Sequence, residues 1–550
     1  MSCNGDKKRS GSTEESAAAG SKKPKAGSSL AFPDYFVPGR MRVLTTTTPQ
    51  ASGKSVLYWM VRDQRADDNY ALLLARHLAS QQNVPVAVCF NLTPPTPEDP
   101  LATLRAYGWM LKGLKEVEAA LKAKNVPFFL LQGGTPSEMV PALASELQAS
   151  SVITDFSPLR EALVHAQAVA TSLDRAGRPL LQVDAHNIVP VWQASPKLEV
   201  GARTIRKKIH DLLPTYFKPF PVEGLLPNDP AAVAGMPGRK PRDGGVEWEK
   251  VLAGLTIDRS VKEIDWLQPG AAAGWANLDG FIEKRLKIFA EKRNDPTEAA
   301  ISHMSPYFNF GQVSVQAAML KVKGVKRYHD SVAAFVEEGV VRRELSDNFC
   351  FYQPKYDSLE GAAGWAQETL RVHAADERQY CYTPAQLEEG QTHDQLWNAS
   401  QLQLVQEGKM HGFLRMYWAK KILEWTASPT AALAVALQLN DRYSIDGRDP
   451  NGFVGVGWSV MGVHDMGWTE RKLVGKIRYM NYAGCLRKFD VEEFCARYPA
   501  AIAAARKVQA ALSPQGEGPI PMKAAAAATT GDGVGEGGKG EAKGKGKTKK

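Results

Sequence analysis

The sequence predicts an α/β domain built on a parallel sheet, followed by an all-α domain. Two patterns support this division. From Val56 to about Trp192, short β-rich runs alternate with longer helical periods, and from about Gly274 to Leu512 helical periodicity dominates. Length supports it too, because 550 residues exceed what one hydrophobic core usually organises, at roughly 100–200 residues per domain.

The first region consists of repeated strand and helix patterns. Its strand candidates, in order, are VLYWMV, VPVAVCF, VPFFLL, SVITDF and LLQVDA, and the helical periods between them cover 67–80, 101–124, 136–149 and 159–175. This order predicts βαβ units with helices on both faces of the sheet. No GxGxxG motif follows the first strand, so a standard NAD-binding site is not expected.

Five segments are expected along the chain. Proline and glycine punctuate the stretch around 200–270, which we interpret as an irregular connection. Both ends have low complexity and cannot bury a core. The expected segments are a disordered basic tail (1–35), the α/β domain (40–195), an inter-domain linker (196–273), the helical domain (274–512) and a disordered Gly/Lys-rich tail (513–550).

Composition and charge narrow the class of protein. No apolar run approaches the roughly 20 residues that cross a bilayer, and the first thirty residues are polar, so we expect an intracellular protein without a membrane partner. The six cysteines form no CxxC pair, which argues against a zinc ribbon and a secreted disulfide framework, and no metal site is expected. The net charge of +9 comes partly from the tails; it permits a polyanionic partner without establishing one.

The run HGFLRMYWAKKILEW (411–425) predicts a helix with one apolar face. Leu414, Trp418, Ile422 and Trp425 share that face. At a rise of about 1.5 Å per residue, the backbones of the two tryptophans lie roughly 10 Å apart. Spacing alone fits a packed core as well as a redox relay.

A second helix is expected just upstream, in THDQLWNASQLQL. Thr392 and Gln395 match a capping box that begins this helix, and Trp397 lies near its start. Trp397 is therefore a third helical tryptophan, again with packing as the alternative.

Two further runs carry polar groups. In ISHMSPYFNFGQVSVQ (301–316), Ser302 and Ser305 precede Pro306, a helix-start pattern whose hydroxyls and backbone N–H groups could bind a diphosphate or form an ordinary N-cap. VEEGVVRRELSDNF (336–349) alternates acids and arginines, and a charged helix surface is its simple interpretation.

Together these motifs resemble the photolyase/cryptochrome family, and within it the class II cyclobutane-pyrimidine-dimer (CPD) photolyases. SHMSPYFNFG is similar to the family's serine turn SxxSPYxxxG, and Glu338 with Arg342 is similar to its glutamate–arginine pair. The long segments that carry the class II resemblance are VLYWMVRDQRADDNYAL, RRELSDNFCFY, LWNASQLQLVQEGKMHGFLRMYWAKKILEW, LNDRYSIDGRDPNGFVGVGWSVMGVHD and GKIRYMNYAGCLRKFD. The resemblance covers about residues 40–495.

The resemblance implies a flavin enzyme that repairs DNA with blue light. It implies a Rossmann-like antenna domain followed by a helical domain that binds FAD in a U-shaped form. Reduced FAD would pass an electron to a flipped-out dimer and recover it after the ring opens. The implied partner is DNA containing cyclobutane pyrimidine dimers, bound by a monomer. The first domain could hold an antenna pigment, either a deazaflavin or a folate, or none, and no motif in the sequence distinguishes these alternatives.

The resemblance also implies which residues bind the cofactor. Ser302 and Ser305 would hold the diphosphate with Arg342. Arg415 would pair with Asp441 near the flavin, and Asn440 would lie close to its N5 edge. Asp465 is also expected among the cofactor-binding residues. For Asn440 and Asp441, a helix C-terminal turn is the alternative.

For the lesion, the resemblance assigns catalytic roles to Glu338, Asn440, Met416 and Trp458. Glu338 would hydrogen-bond the dimer and stabilise its radical anion. Met416 would pack on the lesion, and Trp458 would form the aromatic wall of its pocket. As alternatives, Glu338 is a surface carboxylate paired with Arg342 or Arg343, and Met416 and Trp458 are core residues.

Electron transfer from outside is assigned by the resemblance to three tryptophans. Trp418, Trp397 and Trp425 would be its proximal, middle and distal members. Sequence spacing fixes only the relation of Trp418 to Trp425.

DNA contacts are expected from two stretches. Arg293 and Asn294 are similar to a class II loop. The segment GWTERKLVGKIR combines an aromatic residue with basic side chains that would neutralise phosphates, and a solvated basic helix face is the alternative. Its expected DNA-binding residues are Trp468, Arg471, Lys472, Lys476 and Arg478. Met466 stands where the family more usually has a basic residue.

Two rival functions remain at the level of sequence. One is a cryptochrome-like flavin photoreceptor without repair activity, and the other is a nucleotide-binding α/β protein with a helical partner domain. The expected compartment is the nucleus, a chloroplast or a mitochondrion. The cluster Lys22, Lys23, Lys25 fits a nuclear address or a solvated basic stretch.

Overall fold

The computed structural model describes residues 32–47, 52–96, 99 and 101–512. Of the expected tails (1–35 and 513–550), residues 1–31, with the Lys22–Lys25 cluster, and 513–550 lie outside the described residues. Our tail boundary at residue 35 is wrong, because Phe32 and Tyr35 pack against the core of the first domain. The rings of Phe32 and Phe36 stack with their centroids 5.5 Å apart.

The first domain contains one six-stranded sheet in the order β1-β6-β5-β2-β3-β4. Five strands are parallel, as the βαβ pattern predicts, and β1 joins the edge antiparallel to β6. The sequence did not predict β1, since three residues are too short for a recognisable period. The strands are β1 (Met41–Val43), β2 (Ser55–Met60), β3 (Val86–Leu92), β4 (Phe128–Gln132), β5 (Ala149–Asp155) and β6 (Leu180–Val183).

Helices cover both faces of the sheet because its central strands are apolar on both sides. In β2, Tyr58 and Met60 enter one core while Leu57 and Trp59 enter the other. The covering helices are α1 (Tyr70–Gln81), α2 (Leu104–Lys122), α3 (Pro136–Glu146) and α4 (Arg160–Arg175).

The chain reverses its strand order between β2 and β5, and polar groups gather at the carboxyl ends of these two strands. Asp155 accepts hydrogen bonds from the Tyr58 hydroxyl at 2.7 Å and from the backbone N–H groups of Val61 and Arg62 at 2.8 and 2.7 Å. Such a switch point is the usual ligand-binding crevice of an open parallel sheet.

The segment 196–273 connects the domains, but our description of it as irregular is wrong. Ile205, Ile209 and Tyr216 pack into a core shared with Phe281 and Phe335 of the helical domain. Prolines in this stretch obscured a short amphipathic period. Helix α5 (Val191–Ala194) precedes this segment, and α6 (Ala202–Tyr216), α7 (Pro230–Ala234) and α8 (Trp248–Gly254) lie within it.

The second domain is helical throughout, as predicted, and two π-helical turns interrupt it at Phe281–Arg285 and Glu338–Arg342. No helix of the described residues is long and apolar enough to cross a membrane. The helices are α9 (Ala271–Gly280), α10 (Leu286–Lys292), α11 (Ser305–Asn309), α12 (Val315–Lys323), α13 (His329–Glu337), α14 (Arg343–Tyr352), α15 (Gly364–Val372), α16 (Pro384–Glu388), α17 (Gln395–Glu407), α18 (Gly412–Trp425), α19 (Pro429–Tyr443), α20 (Pro450–Met461), α21 (Tyr482–Leu486), α22 (Val491–Ala496) and α23 (Pro499–Leu512).

Buried charges join the two domains. Arg62, which follows β2, donates to both carboxylate oxygens of Asp347 on α14 at 2.7 and 3.3 Å. Arg65 donates to the carbonyl of Gly311 at 3.0 Å. Gly311 has a positive φ of 62°, and a Cβ there would lie 2.4 Å from the Arg62 carbonyl oxygen, so glycine is required. The motifs RDQRADDNYAL and RRELSDNFCFY thus hold the domains together.

Candidate functional site

The serine turn begins a short helix, α11, at Ser305 and Pro306, as the sequence predicts. The Ser305 hydroxyl accepts a hydrogen bond from Nζ of Lys409, which lies between α17 and α18. The backbone carbonyl of Ser302 accepts a hydrogen bond from Nδ2 of Asn277 at 2.9 Å. The ammonium of Lys409 therefore lies beside the Ser305 hydroxyl, which the resemblance assigns to the diphosphate of FAD.

Two cations share one carboxylate beside this turn. Nζ of Lys409 is 3.3 Å from Asp446, and a guanidinium nitrogen of Arg415 is 4.0 Å from the same side chain. Although burial raises the pKa of Asp446, the two cations together hold it well below its usual range. One carboxylate cannot neutralise two buried cations, so the cluster has room for a further negative charge.

Unpartnered polar atoms surround the same cluster. Nε of Arg415 is buried without a hydrogen-bond partner, and so is Nε2 of His411. Burial lowers the pKa of His411 to about 4, so the ring is neutral, and its Nδ1 accepts from the N–H of Phe413 at 3.2 Å. The proton then resides on Nε2, where the backbone of Arg293 acts as a weak acceptor that raises the pKa but makes no full hydrogen bond. Buried donors of this kind require a ligand that accepts hydrogen bonds, and a diphosphate or a flavin carbonyl fits that need.

The expected pairing of Arg415 with Asp441 is wrong. Arg415 faces Asp446, which follows α19, whereas Asp441 in the last turn of α19 accepts from Asn440 Nδ2 at 2.8 Å and from the Arg448 N–H at 3.1 Å. The chain turns back after α19, and this return brings Asp446 rather than Asp441 to α18. Burial raises the pKa of Asp441, which lines the cleft between the domains.

Asn440 is 1% exposed, in the last turn of α19. This position agrees with the helix-end alternative for Asn440 and Asp441. Its Nδ2 is committed to Asp441, and its Oδ1 has only a long contact of 3.5 Å with the Ser444 hydroxyl.

Glu338 and Arg342 form the ends of a π-helical turn between α13 and α14. Both side chains are exposed. The wider turn places residues five apart over one another, so Arg342 pairs with Glu337 at 3.8 Å, and the alternative pairing of Glu338 with Arg342 or Arg343 does not form. The Glu338 carboxylate thus faces outward from a feature that often marks functional sites. Arg342 was expected to contact the serine turn, but its ion pair is with Glu337.

The three tryptophans form one continuous buried stack. The rings of Trp418 and Trp397 are 6.3 Å apart and within 9° of parallel, whereas the rings of Trp397 and Trp425 are 5.9 Å apart and meet edge to face at 64°. Their exposures are 0, 0 and 2%. Trp397 therefore lies in the middle, in the order implied by the resemblance. The helix carrying it begins at Gln395 with Asp394 as N-cap, and the expected Thr392 cap is wrong because the Thr392 hydroxyl donates to Asn398.

Trp458 on α20 and Met416 on α18 are both half-buried. The Trp458 ring faces two cations: Nζ of Lys420 is 4.3 Å from its centroid, and the guanidinium of Arg478 is 5.5 Å away. This environment differs from a closed apolar core, which is the alternative for Trp458.

The segment Gly467–Arg478 is a loop, so the alternative of a basic helix face is wrong. Arg478 stacks on the exposed ring of Trp468 at 4.0 Å and donates to Asp465 at 3.0 and 3.3 Å. Although burial raises the pKa of Asp465, its bonds to Arg478 lower it. Asp465 therefore anchors the loop, and its expected role at the cofactor stays a prediction.

The remaining basic residues of the loop point outward. Arg471, Lys472 and Lys476 are exposed, with Lys476 near Glu470 at 3.9 Å and Arg471 over the Tyr479 ring at 5.3 Å. Arg293 and Asn294 follow α10; Asn294 is exposed, and Arg293 donates to the Ala290 carbonyl at 2.7 Å.

Two clefts lie close to these residues. One, of about 260 Å³, opens at the switch point between β2 and β5 and reaches the helical domain; Tyr107, Met110, Phe310 and Arg448 are among its lining. The other, of about 590 Å³, lies beside the serine turn and is lined by Asn277, Lys284, Arg285 and Glu298 among others. Among the described residues, no group of three or more His, Cys, Asp or Glu could hold a metal ion.

Sequence reasoning missed four residues of this region: Lys409, His411, Asp446 and Lys420. Lys409 and Asp446 occur in loop-like runs, QEGKMHG and SIDGRD, where a charged residue is ordinarily solvated. Lys420 lies two residues after Trp418 and therefore on the opposite side of the helix from the predicted apolar face, where a lysine is ordinarily solvated. Three-dimensional contact reveals all four.

Sequence comparisons find a matching family model and relatives that are named as photolyases. The family model for DNA photolyase matches residues 56–226. A deoxyribodipyrimidine photo-lyase of Potorous tridactylus is 54% identical over 448 residues, covering 81% of each chain, and one of Oryza sativa subsp. japonica is 49% identical over 471 residues, covering 84% of this chain and 91% of its own.

Solved structures give the same fold at low identity. A bacterial class III photolyase from Agrobacterium tumefaciens aligns with a TM-score of 0.64 at 18% identity, over 88% of this chain and 99% of its own. An archaeal photolyase from Sulfolobus tokodaii, solved with two FAD molecules, aligns with a TM-score of 0.58 at 15% identity, over 83% and 94%.

Proposed function

The chain belongs to the DNA photolyase family, and from this premise we propose that it is a deoxyribodipyrimidine photo-lyase that splits cyclobutane pyrimidine dimers in DNA with blue light. The observation that carries this proposal is the 54% identity, over 81% of both chains, to a relative with that name. Plant relatives at 49% and 47% identity have the same name, which favours repair over the cryptochrome-like alternative.

FAD is the cofactor that this chemistry needs, and the residues around the serine turn fit it. When bound in its reduced form, FAD supplies the electron that blue light transfers to the dimer. The hydroxyls of Ser302 and Ser305, with the ammonium of Lys409, would hold its diphosphate. Arg415 and Nε2–H of His411 offer the unpartnered donors, and Asn440 supplies an uncharged amide that does not repel an anionic flavin.

The lesion would be held by three side chains. The outward carboxylate of Glu338 would hydrogen-bond the dimer and stabilise the charge that develops on it. Trp458 would stack on the extruded bases, an interaction worth roughly 1–3 kcal/mol per base. Met416, half-buried on α18, would pack against the same bases.

The tryptophan stack would restore the reduced cofactor from outside. Trp418 would give one electron to the light-excited flavin and would be refilled from Trp397 at 6.3 Å; Trp397 would be refilled from Trp425 at 5.9 Å, and an external reductant would refill Trp425. The radical therefore moves outward by one ring at each step. Trp425 lies at the end of this stack beside His393, 4.9 Å away.

DNA would be bound by the loop after α20 and by the end of α10. Lys and Arg of the loop would neutralise backbone phosphates, and Trp468 would fill space left by the extruded dimer. Its contact with Arg478, anchored on Asp465, supports a preformed loop. Arg293 and Asn294 would contact the backbone nearby.

The cleft at the switch point is the place we propose for an antenna pigment. Its lining combines the aromatic rings of Tyr107 and Phe310 with apolar Met110 and the cation of Arg448. A planar chromophore such as a deazaflavin or a folate suits such a lining. Mass spectrometry of chromophores released from the purified protein tests this assignment.

The proposed activity is tested with a duplex oligonucleotide that contains one thymine dimer. Purified protein with bound FAD is incubated with it under blue light and in darkness. We expect loss of the dimer in light only. If no dimers are lost in light although FAD is bound, the repair proposal is overturned and the photoreceptor alternative stands.

A further inference from the structure

A buried lysine, Lys420, lies against the indole of Trp458. Lys420 is 3% exposed, and its Nζ is 4.3 Å from the centroid of the Trp458 ring. Its one protein hydrogen bond goes to the carbonyl oxygen of Ser459 at 3.2 Å. The carboxylate that acts on it, Asp465, is itself paired with Arg478.

An ammonium group is costly in such a place. Burial of a charge is unfavourable unless the charge is paired, and a leucine or methionine would fill the same volume without that cost. The face of the Trp458 ring offsets part of it, since the negative face of an indole attracts a cation. The contact therefore specifies where the Trp458 ring lies.

A second cation contacts the same ring from a different element. The Arg478 guanidinium, from the loop after α20, lies 5.5 Å from the Trp458 centroid and 4.0 Å from the Trp468 centroid. Trp458 is thus contacted by an ammonium from α18 and by a guanidinium from the loop proposed to bind DNA.

We infer that Lys420 is a positioning residue for the dimer: its ammonium fixes the Trp458 indole and gives this wall of the lesion pocket a positive charge. The inference rests on the proposed function, in which Trp458 stacks on the extruded dimer. The ligand is a dinucleotide joined by an anionic phosphodiester, so a positive wall favours its binding. Lys420 itself touches neither the dimer nor the cofactor in this role.

The charge of this wall changes near neutral pH. Burial lowers the pKa of Lys420 to about 7; Arg478 lowers it as well, and Asp465 opposes them. Trp458 and Ser459 on α20, with Asp465 and Arg478 on the loop, are the groups that face it. Lys420 loses its charge as the pH rises through about 7, whereas Arg478 keeps its charge. Dimer binding is therefore expected to weaken as the pH rises.

The test measures dimer binding in darkness, so that no catalysis occurs. Fluorescence anisotropy of a dimer-containing duplex is compared with that of the undamaged duplex, from about pH 6 to about pH 8.5. The affinity of the holoprotein for the dimer is expected to fall about tenfold over this range. Binding of the undamaged duplex measures the part of this change that comes from other titrating groups. Lys420→Arg is expected to keep its affinity because a guanidinium stays charged.

Lys421→Met is the matched control. Lys421 is the adjacent buried lysine of α18; it pairs with Glu424 at 2.7 Å and faces the rings of Tyr417, Trp425 and Tyr479 rather than Trp458, so it tests whether loss of any buried lysine of α18 changes the pH profile. The control should retain the wild-type profile. Lys420→Met should bind the dimer weakly at every pH, and flavin absorbance reports whether each variant is folded.

Two results would overturn the inference: an unchanged affinity of the wild-type protein across the pH range, or the same pH profile in Lys420→Arg. Light-dependent repair by the same preparations tests the proposed function separately. If the protein repairs dimers but its binding does not depend on pH through Lys420, only the inference is overturned. If it repairs no dimers at any pH, the proposed function is overturned and the inference with it.

Discussion

The indoles of Trp397 and Trp418 lie within 9° of parallel, and each N–H has a defined acceptor. Nε1 of Trp397 donates to the backbone carbonyl of Trp418 at 3.0 Å, and Nε1 of Trp418 donates to Gln401 at 2.9 Å. Leaving either N–H buried and unpaired would cost about 1–3 kcal/mol. The pair is therefore held in one geometry, with Trp425 next to Trp397.

Trp397→Phe should stop photoreduction of the cofactor, because it replaces the oxidisable middle indole with a phenyl ring that does not give up an electron as readily. A flavin that is reduced chemically should still support repair, since the lesion contacts are unchanged. Absorbance of the flavin during illumination measures the first effect, and dimer loss after chemical reduction measures the second. Trp275→Phe is the control, since Trp275 contacts Lys321 and no ring of the stack. Photoreduction at the wild-type rate in Trp397→Phe would contradict the relay.

Lys409→Met should weaken FAD binding. The substitution removes the ammonium that contacts Ser305 and Asp446, and a hydrogen bond to a charged group contributes roughly 1.5–3 kcal/mol, which corresponds to about a tenfold to hundredfold rise in Kd. Flavin fluorescence released on dilution measures the Kd. Lys323→Met, on α12, is the surface control and should bind FAD normally. Equal affinities of Lys409→Met and wild type would remove Lys409 from the diphosphate site.

Asp347→Ala should destabilise the protein strongly, because it leaves the buried Arg62 guanidinium with only its longer contact to Asp449, at 3.5 Å. Breaking a buried pair in this way costs about 3–5 kcal/mol. Asp357→Ala is the matched control: its pair with Arg160 at 2.6 Å is exposed, and about 0–1 kcal/mol is expected. Urea unfolding followed by circular dichroism measures both values, and similar losses in the two variants would contradict the buried-pair account.

The same pair predicts a pH dependence of stability. Although burial raises it, Arg62 gives Asp347 a net lowered pKa in the folded protein. A carboxyl with a depressed pKa stabilises the fold above its unfolded pKa, and this contribution disappears as the pH falls through the folded value. Wild type should therefore lose more stability than Asp347→Ala on acidification; parallel losses would argue against it.

Glu338→Gln should lower the yield of repair without affecting the cofactor. An amide retains the hydrogen-bonding shape but loses the charge, so stabilisation of the dimer after electron transfer should fall by several kcal/mol at most. Dimers lost per absorbed photon and FAD content are the two measurements. Glu291→Gln, exposed on α10, is the control. A normal yield of repair in Glu338→Gln would show that Glu338 is a surface carboxylate without a role at the lesion.

The sequence predicted those elements whose period is long enough to recognise. The alternation of β2, β3, β4, β5 and β6 with helices gave the parallel sheet, and the apolar face from Leu414 to Trp425 is buried as expected. β1 was missed because three residues carry no period. Helix α6 was missed because prolines around it outweighed Ile205, Ile209 and Tyr216.

The site was only partly predictable because spacing along the chain does not determine which charges meet. Arg415 could pair with Asp441 or Asp446, five residues apart, and only the turn after α19 selects Asp446. The π-helical turn likewise exchanges the expected Glu338–Arg342 relation for Glu337–Arg342. The order of Trp418, Trp397 and Trp425 came from the resemblance rather than from spacing, and the ring distances place Trp397 between the other two.

The most direct test of the account is the action spectrum of dimer loss. Purified protein is illuminated at several wavelengths, and the rate of dimer loss per protein is compared with the absorption of its bound chromophores and with its FAD content. We predict that the rate follows the absorption, scales with FAD content and vanishes in darkness. Dimer loss that proceeds in darkness, or an FAD-loaded protein that loses no dimers at any wavelength, would contradict the account.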